Sequence, residues 1–392
     1  MFDIIHLLTG DPAYPPSLDS MVDRYVDKRR FDVEHAAWYA HYLDREAAAR
    51  MIEAYESLPE PLRLHFLLSP ASYEFTFEFN RHRTLQSLND VVALIEDEAA
   101  FVGDRPTIDR HKDSDTIWSP MGDEMLQSTS DGWTRRSAVR LDGLILVDFD
   151  SPQARMIRAT SPMMYRPPED FSDAERAVVL LKLERALTYI DEVSPTFGRL
   201  VRNYTRAIRL RKCEQFDGFS SEHVTNTIGE IRIMNAHRDE YPSTRLAEAL
   251  VHESVHNFLS TYEYLNQTFV FEGDDRRYRP VSPWTRNPIP VPSFGHAVFV
   301  WFALFHFAMR ELERPGLSAE RRMEIRGRRN HYASGFLIPT PLFDCVRGLA
   351  TFNHALPPTM NTLQTIVQSF ADGKATSLDQ LPELAHAAPL TR

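Results

Sequence analysis

The chain has 392 residues, 43% hydrophobic and 25% charged, an ordinary globular composition with length enough to bury a substantial core. Its formal net charge of −11 argues against a general affinity for the nucleic-acid backbone, which needs clustered Lys and Arg. Two cysteines, Cys213 and Cys345, are too few for a disulfide framework and form no CxxC metal spacing, which fits a reducing cytoplasm. The opening residues, MFDIIHLLTGDP, lack a basic segment and carry Asp3 and His6 in a short apolar run, unlike a signal peptide. The longest apolar run, residues 297–309, is shorter than the ~20 residues of a membrane span and contains His306. These features predict a soluble cytoplasmic protein that binds neither nucleic acid nor membrane.

Residues 31–58 are rich in helix formers, with Trp38, Tyr42 and Leu43 at helical spacing, and Pro59 and Pro61 end the run. Residues 85–101 repeat that pattern. From 103 to 134 the chain turns polar, a boundary or long loop. The expected division is a helical N-terminal region, 1–120, and a catalytic domain, 121–392. A strand-like run follows at 138–149, then a Pro-containing loop at 162–170. Ser172 with Glu175 reads as a capping box opening a helix over 174–189. Ile208 and Leu210 alternate with arginines as a half-buried strand would, and residues 228–234 alternate too. Ser243 begins a helix that runs to about residue 264. A loop rich in Arg, Asp and Pro spans 271–292, and helices are expected at 295–312, 318–335, 343–354 and 361–371. The order predicts an α+β protein, predominantly helical, with a small sheet preceding one chemically distinctive helix.

That helix reads LAEALVHESVHNFLSTYE from Leu246 to Glu263. His252 and His256, four residues apart, fall one turn apart on one helix face, so both imidazoles can reach one divalent metal at ~2.0–2.1 Å. Leu246, Leu250, Val255 and Leu259 would pack the helix, and Glu253 would face the same centre from the side. Two ordinary histidines are the bland reading, and the helical context favours the metal. Two imidazoles leave a labile site, so a third ligand must come from elsewhere. Glu263 points the same way but lies ~10 Å further along the axis, too distant to ligate. Glu272 could fold back, and His296 opens a helix after the proline-rich loop.

Other groups have plainer readings. His35 and His41, six residues apart, do not share a face, and His306 reads as a satisfied core histidine. Arg321, Arg322, Arg326, Arg328 and Arg329 read as a solvated helix face. Asp148, Asp150, Asp274 and Asp275 read as turn residues. Trp284 would wall a pocket or anchor its loop.

The wider context narrows the choice. SPW from Ser282, then Arg286, Pro288, Pro290 and Gly295-His296 before an apolar helix, follows LAEALVHESVH and the upstream GFSSEHVTNTIGEIRIM. Across residues 216–307 this resembles the 2-oxoglutarate-HExxH peptide β-hydroxylases, HExxH proteins of modified-peptide biosynthesis. It departs from that pattern in having Thr285 between Trp284 and Arg286. The resemblance implies His296 as third ligand and an Fe(II) dioxygenase that uses 2-oxoglutarate to hydroxylate a β-carbon of a ribosomally made precursor peptide. Three neutral imidazoles leave Fe(II) its full charge and open positions for the co-substrate and O2. A guanidinium would clamp the co-substrate's far carboxylate, with Arg286 the first choice and Arg279 the second.

A zinc metallopeptidase is the alternative, with Zn(II) on the same histidines and Glu253 as catalytic general base. An oxygenase needs no hydrolytic base, and Glu253 would then orient water or substrate. A peptide-binding protein with a structural metal is a third reading. It needs a fourth protein ligand, for which the sequence offers no nearby candidate.

Overall fold

A computed structural model describes residues 2–10, 16–102, 115–130, 132–156, 168–224, 227–266, 270–272 and 278–371. Six helices lead: α1 (Phe2–Leu8), α2 (Pro16–Leu43), α3 (Arg45–Ser57), α4 (Glu60–Leu68), α5 (Pro70–His82) and α6 (Leu85–Val102). Five strands follow: β1 (Thr116–Trp118), β2 (Glu124–Thr129), β3 (Gly132–Ser137), β4 (Val139–Leu141) and β5 (Ile145–Asp148). Then come α7 (Pro152–Arg155), α8 (Asp173–Val193), α9 (Pro195–Tyr204), β6 (Ala207–Arg211), β7 (Ser220–His223) and β8 (Glu230–Met234). The last are α10 (Ser243–Asn266), β9 (Val270–Glu272), α11 (Val291–Glu313), α12 (Ala319–Ser334), β10 (Thr351–Phe352) and α13 (Leu356–Ala371). The protein is α+β with helices dominant, as its sequence implies.

The chain forms two compact units, each built from separated segments. The first comprises Met1–Ser20, Ala186–Val201 and Ala247–Arg392, and the second Met21–Arg185 and Arg202–Leu246. The boundary expected near residue 120 therefore falls inside the second unit.

In the second unit, α2, α3, α5 and α6 share a core of small and aromatic residues that includes Ala36, Ala40, Met51, Phe79, Val91 and Ile95. The helix expected over 31–58 is broken at Asp44, whose carboxylate accepts the N–H groups of Glu46 and Ala47 and caps α3. The polar stretch read as a loop holds an antiparallel sheet, β1-β2-β3, over a small core of Phe101, Ile117 and Leu126. The strand expected over 138–149 is a hairpin, β4 and β5. It turns at Asp142-Gly143 with φ of +50° and +70°, the left-handed pair of a type I′ turn. Ser172 and Glu175 form the capping box, with the Ser172 N–H on Glu175 at 2.7 Å and the Glu175 N–H on the Ser172 hydroxyl at 3.3 Å.

A second sheet, ordered β4-β5-β6-β8-β7, is parallel through β5, β6 and β8 and antiparallel at both edges. Here the sequence misleads. The arginines alternating along β6 and β8 are buried, so neither strand is half-exposed. Asp148 is a turn residue, accepting the N–H groups of Asp150 at 3.1 Å and Ser151 at 2.9 Å, but it is more than that. It ends β5 fully buried against Arg209, while Asp150 pairs with Arg176.

In the first unit α11 is central, packing on α1, α12 and α13 and burying Phe294, Phe299, Phe302 and Phe307 completely. By length and composition α11 could cross a membrane, yet most of it is buried inside the protein. Arg321 and Arg328, expected on a solvated face, turn inward to Glu311, while Arg326 stays exposed. The helix expected over 343–354 is replaced by a short 3-10 turn, Leu342–Cys345, and by β10. Gly348, at φ +78°, takes a conformation that ends helices.

Candidate metal centre

Helix α10 keeps Leu250, Val255, Phe258 and Leu259 fully buried, which fixes its rotation and aims the motif. Donor atoms of His252, Glu253 and His256 lie within 4.8 Å of one another. The two imidazole centroids are 5.2 Å apart. His252 keeps 28% of its side chain exposed, whereas Glu253 is buried, with Oε1 3.9 Å from His252 Nε2. The cluster is thus shielded on the carboxylate side and open on the His252 side.

His296, on α11, comes close to one of the two motif histidines. Pro290 precedes α11 with an extended backbone, ψ 150°, and Pro292 lies in its first turn with φ preset for a helix, so His296 sits just past that turn. His296 Nδ1 comes to 3.2 Å from His256 Nδ1, with the rings stacked 5.5 Å apart at 27°. Two nitrogens each ~2.1 Å from one cation at ~90–109° would be separated by about 3.0–3.4 Å. The observed spacing matches that separation and is equally a hydrogen-bond distance between two imidazoles. Among the described residues the donors that lie within 4.8 Å of one another are those of His252, Glu253 and His256, a set of a kind that divalent cations accept, and His296 meets it through His256.

Sequence reasoning missed two residues of this site. Glu263, set aside as too distant to ligate, places Oε2 3.3 Å from Nε2 of His296. It meets the third histidine from behind, a contact that favours the tautomer with its proton on Nε2 and a lone pair on Nδ1. Trp301 stands edge-on to His252, ring centroids 6.0 Å apart, and stacks on Trp284 at 6.0 Å. Trp284 is buried and donates its ring N–H to the Tyr332 carbonyl at 2.8 Å, so it anchors its loop to α12 and backs the wall that Trp301 forms. Gly335 makes room for it, since a Cβ there would lie 2.2 Å from the indole.

Arg286 and Arg279 are both exposed in the loop before α11, and among the described residues neither pairs with the histidine cluster. Arg286 has a left-handed backbone, φ +61°, and its N–H donates to the Ser282 carbonyl at 2.9 Å. The Glu272 side chain and Asp274-Asp275 lie outside the described residues. His306 is a core histidine but not a satisfied one. Set among Phe302, Phe305 and Phe370, both ring nitrogens lack a hydrogen-bond partner among the described residues, and burial pushes its pKa down to about 3. It stays neutral and belongs to packing.

No family model matches the chain, and no curated protein matches it in sequence.

Proposed function

We propose that this protein is an Fe(II)- and 2-oxoglutarate-dependent oxygenase that hydroxylates a side-chain β-carbon of a ribosomally made precursor peptide in a reducing cytoplasm. The observation carrying this reading is the 3.2 Å approach of His296 to His256, which supplies an imidazole where a carboxylate could have stood. Three neutral ligands leave a divalent cation undiminished charge for a dianionic co-substrate. Bound Fe(II) would supply O2 activation coupled to oxidative decarboxylation of 2-oxoglutarate.

The chain's own residues do the positioning. Glu263 orients His296, and Trp301 limits water on the His252 side. Glu253 is placed to hold a water or a peptide group beside the cation. Arg286, with Arg279 second, is offered from the exposed loop as the clamp for the far carboxylate, becoming buried as ligand covers it.

One observation favours a second reading, a zinc metallopeptidase. The buried Glu253 stands where a general base for metal-bound water would stand. Anaerobic purification, metal analysis and an assay of Fe(II)-dependent succinate formation against candidate peptides separate the two. The oxygenase reading expects succinate together with a one-oxygen gain in peptide mass, largely retained in Glu253→Gln. Absence of succinate with every peptide, alongside zinc-dependent cleavage abolished in Glu253→Gln, would replace it with the peptidase.

A further inference from the structure

The five-stranded sheet carries a buried row of charge in which some guanidinium donors are not reached by the carboxylates beside them. Asp148 on β5, Arg209 on β6, Arg232 on β8 and Glu222 on β7 stand in register across four strands. Side chains directly opposite one another project from the same face, so two guanidinium groups are immediate neighbours on strands ~4.8 Å apart. Arg209 is 1% exposed and Arg232 2%. Arg211, also buried, lies two residues further along β6 on the same face. Like charges adjacent in a buried row repel, and Asp148 and Glu230 are the buried anions that hold them.

The acceptors present reach only part of each fork. Asp148 takes Arg209 Nη1, while Glu230 takes Arg232 Nε at 2.7 Å and lies 3.5 Å from Arg209 Nε. Among the described residues Arg209 Nη2 and Arg232 Nη1 have no hydrogen-bond acceptor. Glu222 comes no closer than 4.0 Å to Arg232 Nη1 and is 24% exposed at the sheet edge. Arg211 donates to the neutral carbonyls of Met156 at 2.8 Å and Ala154 at 3.4 Å. Burial, then the neighbouring Arg232, lowers its pKa. A buried donor without an acceptor is costly, and these two belong to arginines paired in register on adjacent strands.

We propose that this face binds a small dianionic oxyanion, a phosphate or a dicarboxylate, between Arg209 and Arg232 with Arg211 beside it. Its oxygens accept from the two free Nη groups, completing both guanidinium forks with the planar geometry that arginine offers and lysine does not. Glu222, on the edge strand, marks the solvent side from which the ligand enters, and its charge opposes entry. The site is independent of the metal chemistry.

Equilibrium dialysis of the full chain at constant ionic strength, with radiolabelled inorganic phosphate and separately with radiolabelled succinate, tests it. Saturable binding of one equivalent in either arm is expected, and the arm that saturates identifies the ligand. Arg232→Met should weaken binding by at least about tenfold. Glu222→Gln, at the tolerant rim, should tighten it roughly threefold. Binding must survive in His256→Ala, since loss there would move the anion to the metal centre and overturn the proposal. Absence of saturable binding in both arms would overturn it as well. Should Arg232→Met fail to fold, an unchanged affinity in Glu222→Gln is decisive against it.

Discussion

A histidine ring offers two nitrogens, and only the one without a proton can hold a cation. At His296 the nitrogen facing His256 is Nδ1, and Nε2 faces Glu263. A carboxylate behind a ligating imidazole fixes its tautomer and raises its basicity. Glu263→Gln is therefore expected to weaken metal binding roughly 10–100-fold. The metal-free protein should melt almost unchanged, because Glu263 is partly exposed and outside the core. Competition against a chromophoric chelator measures the affinity, and equal values for the two proteins would remove Glu263 from the site. His252 and His256 were legible because their spacing is local to one helix. The His256–His296 and Glu263–His296 contacts were not, because they depend on where α11 meets α10, which no spacing within either segment encodes.

The two histidine-bearing helices, α10 and α11, are tied together by a third element. Arg328 of α12 donates to Glu248 of α10 at 2.8 Å and to both Glu311 carboxylate oxygens of α11 at 2.8 and 3.0 Å. Glu311 is fully buried and also accepts from Arg321 at 2.7 Å and from the Tyr189 hydroxyl. Arg328→Met deletes the bridge and leaves two buried carboxylates with fewer partners, so a loss of about 2–4 kcal/mol is expected. Denaturant unfolding reads it, and an unchanged midpoint would show that α10 and α11 hold their angle without α12. The same arginines looked like a solvated face because charge in a sequence carries no record of its partner. Helices α6, α8 and α10 were readable from apolar periodicity, helped at α8 by its capping box. Strands β1 to β3 were not, since TIW, EMLQST and GWTRRS are short and carry few apolar residues to alternate. The buried arginines of β6 and β8 defeated the alternation rule from the other side. They mimic a solvated face while pairing with Asp148 and Glu230 inside.

Over the whole molecule, the dependence of stability on pH is set less by the net charge of −11 than by a few buried groups whose folded and unfolded pKa values differ. Two lie close together in the second unit. Burial, followed by the charge of Asp123, pushes the Glu98 carboxyl up to about 8 from an ordinary 4.5. Burial would raise Asp123 also, but His65 at 2.8 Å, the Ser119 hydroxyl and Arg140 at 3.0 Å outweigh it and hold the carboxyl at about 2. At neutral pH one carboxyl is thus neutral and the other an anion. Between about pH 4.5 and 8 the folded protein keeps a proton on Glu98 that the unfolded chain has released, so its contribution is fully present below that window and lost as pH rises through it. Asp123 acts oppositely, and its contribution disappears as pH falls from 3.8 towards 2. Glu98→Gln keeps an acceptor for the Met121 N–H, which now bonds Glu98 at 3.3 Å, and cannot ionise. At pH 8 the variant should be more stable than the parent by a few kcal/mol, with the difference shrinking towards zero near pH 4.5. Histidines elsewhere titrate alike in both proteins and cancel in the comparison. Parallel urea midpoints across that range would mean that Glu98 ionises in the folded protein as it does in water.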